Sequence, residues 1–155
     1  MARCLSLSWI FYPILIAAID DQVSEMAFYH WLQLIKDVEP GETLPAGMSR
    51  RAVILGDAML ALHEAFADLK CAPHFHTSSQ ITYILKGKLR MRIANEERIL
   101  LPSEFAFVPP GVEHSIESLD EYVLALDVFQ PYRQDIAERL CELHPPVGGV
   151  SRIDG

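Results

Sequence analysis

The chain has 155 residues, half of them apolar, and carries a formal net charge of −8, enough length for one domain with a real core and too little for two. The acidic balance, with no basic cluster longer than Ser49-Arg50-Arg51, lacks the electrostatic footprint of a nucleic-acid binder. Cys4, Cys71 and Cys141 are odd in number and far apart, which speaks against a disulfide framework and for a reducing compartment.

From Leu5 to Ala18 the chain is mostly apolar and is interrupted by Pro13. A membrane span wants about 20 such residues, so no span is expected. The run has the proportions of an export signal, but Ile16-Ala17-Ala18 is a poor cleavage site. Residues 1–25 are therefore read as an apolar extension ahead of a start at Met26 in a cytoplasmic protein, with export as the rival reading. The folded domain is expected over 26–133, with a helix and tail over 134–155.

Phe28 to Ile35 is apolar and aromatic enough for a first strand, which Pro40-Gly41 keeps from running on. Ala46 to Ser49 reads as a loop. Arg51 to Leu55 and Met59 to Phe66 read as strands around Gly56-Asp57. His63 lies in the second of them with no partner at two-residue spacing, and is expected in the wall of the domain rather than on a metal.

His74-Phe75-His76 is the stretch that carries chemistry. Alternate residues of an extended chain share a face, so two imidazoles can aim at one point. Gln80 and His114 are the natural completers, the second sitting behind the corner Pro109-Pro110-Gly111 where a new strand should begin. Three imidazole nitrogens and an amide oxygen suit a divalent transition metal such as zinc, nickel, manganese or iron. Alone, a His-x-His pair would more simply be two packed histidines; Gln80, Gly87 and the downstream His114 tip the reading toward a metal. Cys71 is read as a packed thiol rather than a stray ligand.

Gln80 to Lys86 should be a strand whose inward face continues through Thr82 and Ile84, turned by Gly87. Lys88 to Ala94 alternates Leu89, Met91 and Ile93 with Lys88, Arg90 and Arg92, a half-buried antiparallel strand with a solvated basic face. Asn95-Glu96-Glu97 reads as a hairpin turn into Arg98 to Leu101, and Phe105 to Val108 as a short strand. Tyr122 to Phe129 closes the series: Val123, Ala125, Asp127 and Phe129 share one face. Asp127 is thereby an inward carboxylate, either paired with Arg133 to close the domain or facing a wet cavity. Short strands at near-regular spacing argue for an all-β sandwich or barrel. Gln134 to Leu143, with Ile136, Leu140 and Leu143 in one stripe, is the one predicted helix.

The pattern His-x-His-x3-Gln-x6-Gly, with Pro-x-Gly-x-x-His downstream, resembles the paired motifs of the cupins, single-domain jelly-roll β-barrels that hold a metal on histidines. The likeness runs from Cys71 to Arg133. It departs where Asp68 and Ser103 stand in place of the glycines that open each motif, and where Gln80 replaces the usual glutamate. With Asp127-Val128-Phe129 and Arg133 after a Gln-bearing motif, the chain resembles the KdgF group of cupins. The resemblance implies His74, His76, Gln80 and His114 as ligands of a divalent metal and Asp127, Phe129 and Arg133 as the catalytic or substrate-contacting trio. It further implies a small anionic substrate, a 4,5-unsaturated monouronate from pectin or alginate, opened and ketonised. An Fe(II) dioxygenase and a non-enzymatic metal or sugar binder are the alternatives. A homodimer is expected, since barrel-edge strands commonly find a partner.

Overall fold

The computed structural model describes residues 28–41 and 43–143. The apolar run 5–18, Cys4 and the tail from residue 144 lie outside them. Nine strands occur in chain order among the described residues: β1 (Met48–Leu55), β2 (Ala58–Phe66), β3 (Lys70–His74), β4 (Ser79–Lys86), β5 (Leu89–Ile93), β6 (Glu96–Leu100), β7 (Phe105–Val108), β8 (His114–Ser118) and β9 (Tyr122–Gln130), then a helix, α1 (Gln134–Leu143). They form a five-stranded sheet, order β1-β2-β9-β4-β7, and a four-stranded sheet, order β3-β8-β5-β6. All pairings are antiparallel. Two facing antiparallel sheets are the all-β sandwich that the strand spacing predicts, and their strand order is the jelly roll that the resemblance implies.

Strict alternation decides which side chains meet between the sheets. On β9 the buried positions are Val123, Ala125, Asp127 and Phe129, on β4 Gln80, Thr82 and Ile84, and on β2 Met59, Ala61, His63 and Ala65. One end of this inner face is apolar: Ala65, Ile84, Val123 and Ala125 pack against Leu89, Met91 and Leu100 of the facing sheet. At the other end Ile136 and Ala137 of α1 cover Ala52, Met59, Ala61 and Phe129. Between the two apolar clusters lies a polar band, His63, Gln80, Thr82 and Asp127, all buried.

Two expectations are corrected. The first strand predicted over Phe28–Ile35 does not form: Trp31–Gln33 is a single 3-10 turn, and Leu32 is exposed. An apolar run without two-residue alternation has no one face to bury, and the bridge to β1 comes only after it, between Asp37 and Arg50. The loop predicted over Ala46–Ser49 is cut short because β1 already begins at Met48. Arg50 and Asp37 form an ion pair at 3.0 Å with both side chains fully buried, and Arg50 also donates to the Thr43 carbonyl at 3.0 Å. Sequence reading gave that pair no role.

The two motif glycines that this chain lacks are replaced without loss of backbone shape. Asp68 and Ser103 adopt φ of 64° and 73°, the left-handed region in which glycine rests without steric cost. Gly87 keeps its residue for a harder reason: at φ +80° a Cβ there would lie 2.4 Å from the Tyr122 carbonyl oxygen. Ser103→Gly is accordingly expected to stabilise the fold by about 1 kcal/mol, read as a rise in the urea midpoint at unchanged slope. No helix among the described residues is long and apolar enough to cross a membrane.

Candidate metal centre

His74 and His114 face each other directly across the β3–β8 pair, and His76 lies two residues beyond His74. The corner Pro109-Pro110-Gly111 locks the arrangement, Gly111 N–H donating to the His76 carbonyl at 2.8 Å. The rings converge, with centroid separations of 4.3 Å for His74–His114, 4.9 Å for His76–His114 and 6.1 Å for His74–His76. One ring nitrogen from each lies within 4.8 Å of the others.

Backbone carbonyls fix which nitrogen is available. Nδ1 of His74 contacts the Ala72 carbonyl at 3.0 Å, that of His76 the Ser78 carbonyl at 2.8 Å and that of His114 the Val112 carbonyl at 3.0 Å. A carbonyl only accepts, so each Nδ1 carries the proton and each Nε2 presents a bare lone pair, the arrangement that metal-binding histidines adopt. His114 Nε2 is buried with no hydrogen-bond partner. His76 Nε2 faces Gln80 Oε1 at 2.9 Å, one acceptor against another. Unpartnered acceptors turned toward one point are what a cation resolves, and the donor set fits a divalent transition metal.

Gln80 is held from behind. Its amide nitrogen donates to Thr82 Oγ1 at 2.8 Å, and that hydroxyl donates to Asp127 Oδ1 at 2.6 Å. The register explains the contacts: Thr82 lies opposite Asp127 and Gln80 opposite Phe129 on the β4–β9 pair. On the other flank Ala61 opposes Asp127, which leaves His63 diagonal to it. His63 Nδ1 sits 3.0 Å from Asp127 Oδ2, without the alignment of a hydrogen bond. Burial alone would raise the Asp127 carboxyl, but His63, Thr82 and Gln80 outweigh it and hold it below its ordinary range.

Asp127 therefore answers to His63 and Thr82, and Arg133 does not close the domain on it. The Arg133 guanidinium stands 5.6 Å over the Phe129 ring and gives Nε and Nη2 to the Asp135 carboxylate. Nη1 has no partner among the described residues. Phe129 in turn meets the His76 ring edge to face at 5.6 Å. The two sets predicted from sequence thus stand in contact, through Gln80–Thr82–Asp127 on one side and His76–Phe129–Arg133 on the other. Cys71, with Sγ 3.7 Å from His74 Nδ1, is outside the converging atoms. Sequence reasoning left His63 and Thr82 without a role. A lone histidine on an otherwise apolar inward face was the available signal, because a buried polar group needs a partner.

Burial pushes His76 below the ordinary imidazole range, and pushes His114 to about 4. Both are neutral near pH 7 and free to donate their lone pairs. Since His114 binds its proton less well folded than unfolded, the metal-free protein should lose stability as pH falls from about 6.5 to about 4, the window in which the unfolded chain takes up the extra proton. Urea midpoints across that range check this, and His114→Gln should flatten the dependence.

The family described as Cupin domain matches residues 67–129. The pectin degradation protein KdgF of Dickeya dadantii is 30% identical over 103 residues, covering 65% of this chain and 94% of that protein. The structure of KdgF from Halomonas sp. superposes with a TM-score of 0.63 at 25% identity, covering 72% of this chain and 99% of the other. An RmlC-like cupin from Shewanella frigidimarina shares the fold with a TM-score of 0.63 at 21% identity, over 72% of this chain and 96% of the other. With the jelly roll, the three converging imidazoles and a near full-length relative in agreement, the chain belongs to the cupin family, among its KdgF-like members.

Proposed function

We propose that the protein is a metal-dependent isomerase that opens and ketonises 4,5-unsaturated monouronates. The observation that carries this reading is Asp127, an inward carboxylate held ionised beside Phe129 and linked through Thr82 and Gln80 to the imidazole cluster. His74, His76, Gln80 and His114 would hold the divalent metal, which supplies Lewis-acid polarisation of substrate oxygens when bound.

The protein's own groups account for the proton transfers. An ionised Asp127 can accept the proton of the anomeric hydroxyl as the bond between C1 and the ring oxygen breaks and its electrons pass to that oxygen. The resulting enolate takes the proton back at C4, leaving an aldehyde at C1 and a ketone at C5. One proton moves from oxygen to carbon, and no electrons are gained or lost. Arg133 is placed to receive the uronate carboxylate through Nη1, its other arm being fixed by Asp135, and Phe129 offers its ring as a wall for the sugar.

Counting formal charges, a divalent ion and Arg133 stand against Asp127 and Asp135, leaving one net positive charge for an anionic substrate. Asp135 makes this less positive than the ligand set with Arg133 and Asp127 alone suggests. The chain's −8 is screened over about 8 Å at physiological salt, so the local field governs the pocket. A cytoplasmic homodimer belongs to the same reading. The test is the absorbance of an unsaturated galacturonate incubated with purified protein of measured metal content. Loss of the unsaturated band without oxygen uptake is expected. Oxygen consumption with a catechol, flavonol or thiol would favour a dioxygenase, and tight ligand binding without turnover a sensor.

A further inference from the structure

Which end of the Gln80 side chain faces the imidazoles is not decided by the imidazoles themselves, since an amide presents an acceptor and a donor of nearly equal size. The geometry points to Thr82 as the positioning residue that makes Gln80 an oxygen ligand. This inference rests on the reading of His74, His76, Gln80 and His114 as a metal site.

The placement of hydrogens decides the orientation. A carboxylate offers only acceptors, so the 2.6 Å contact between Thr82 Oγ1 and Asp127 Oδ1 uses the hydroxyl's one hydrogen. The hydroxyl's lone pairs are left to face Gln80, and only an N–H can approach them, which is the 2.8 Å contact from Gln80 Nε2. Oε1 is thereby turned toward His76 Nε2 at 2.9 Å. That ring nitrogen has no hydrogen to offer, because Nδ1 carries it for the Ser78 carbonyl at 2.8 Å. Thr82 and Gln80 are both buried, so water does not substitute readily for either contact.

Without the hydroxyl the amide would turn over. Its NH2 would then donate to His76 Nε2, satisfying both groups and capping one ligand with a hydrogen bond. A metal would have to break that bond and would gain no oxygen donor until the amide turned back. The position thus selects metal binding over a self-satisfied resting arrangement. It also ties the ligand to Asp127, since the carboxylate sets the direction of the hydroxyl. This double duty accounts for a threonine at the strand position opposite Asp127.

The test is Co2+ affinity, by competition with a chromophoric chelator, for the full-length protein and for Thr82→Val, Thr82→Ser, Gln80→Ala and the Thr82→Val/Gln80→Ala double variant. Valine keeps the shape and removes the hydroxyl. Thr82→Val and Gln80→Ala should each weaken Co2+ binding by about 10- to 100-fold, with Thr82→Ser within about threefold of the parent. The visible Co2+ band should shift in the same direction in Thr82→Val and Gln80→Ala. The double variant should bind no more weakly than Gln80→Ala, because the effect of Thr82 passes through Gln80. Parental affinity in Thr82→Val, failure of serine to restore it, or a further comparable loss in the double variant would overturn the assignment. Should Thr82→Val not fold, Thr82→Ala poses the same question. Absence of Co2+ binding in the parent, or no effect of Gln80→Ala, would instead reject the metal-site reading beneath it.

Discussion

Asp127→Asn is expected to retain its metal and lose turnover by about 10² to 10⁴, the range that a positioned acid–base group contributes. The substitution preserves shape. An Asn oxygen can still accept from Thr82, so Gln80 keeps its orientation, and His63 can meet the new NH2 by carrying its own proton on the other ring nitrogen. What disappears is the capacity to accept and return a proton at this point between the sheets. Elemental analysis should therefore give the same metal content per chain as the parent, with kcat depressed on the unsaturated uronate. Full activity in this variant would remove Asp127 from the proton-transfer role, and loss of metal along with activity would make it a structural support of the site.

His76→Ala should do the opposite, losing metal by at least about 100-fold in affinity, beyond the range seen when only a supporting partner is removed. His76 is the imidazole with the most dependants: Ser78 orients it, Gln80 faces it, Phe129 packs on it, and its carbonyl receives the Gly111 N–H. The backbone contact to Gly111 survives the change to alanine, so the corner and β8 should remain in place. Circular dichroism close to the parent's, together with metal content near zero after purification, is the expected pair of results. Retention of a full complement of metal would mean that the ion sits elsewhere.

How far the sequence reaches depends on whether the deciding partner is local. Alternation along Tyr122–Phe129 and Gln80–Ile84 reads out which side chains point inward, because the two-residue period is a property of the strand itself, and the structure agrees at each of those positions. The helix over Gln134–Leu143 is equally local. His63 and Thr82 could be placed on inward faces but not given partners, since the register that sets Thr82 opposite Asp127 joins strands 45 residues apart. Arg133 shows a nearer miss: its bidentate partner Asp135 is two residues away, while alternation along the strand singles out Asp127 as the inward charge. Phe28–Ile35 fails for a different reason, as apolar content without a period selects no face. The Arg50–Asp37 pair is not legible because nothing local marks two charges 13 residues apart as partners buried together.

The three imidazoles stand on or just beyond the four-stranded sheet, whereas Gln80, Thr82 and Asp127 belong to the five-stranded one. An ion gripped by both would act as a clasp across the seam, so its binding energy would add to cohesion between the layers by mass action. Chelation should then do more than silence the protein. It should loosen the mouth of the barrel first, with amide exchange quickening around residues 74–80 and 112–114 while the apolar end near Val123 and Leu89 stays closed.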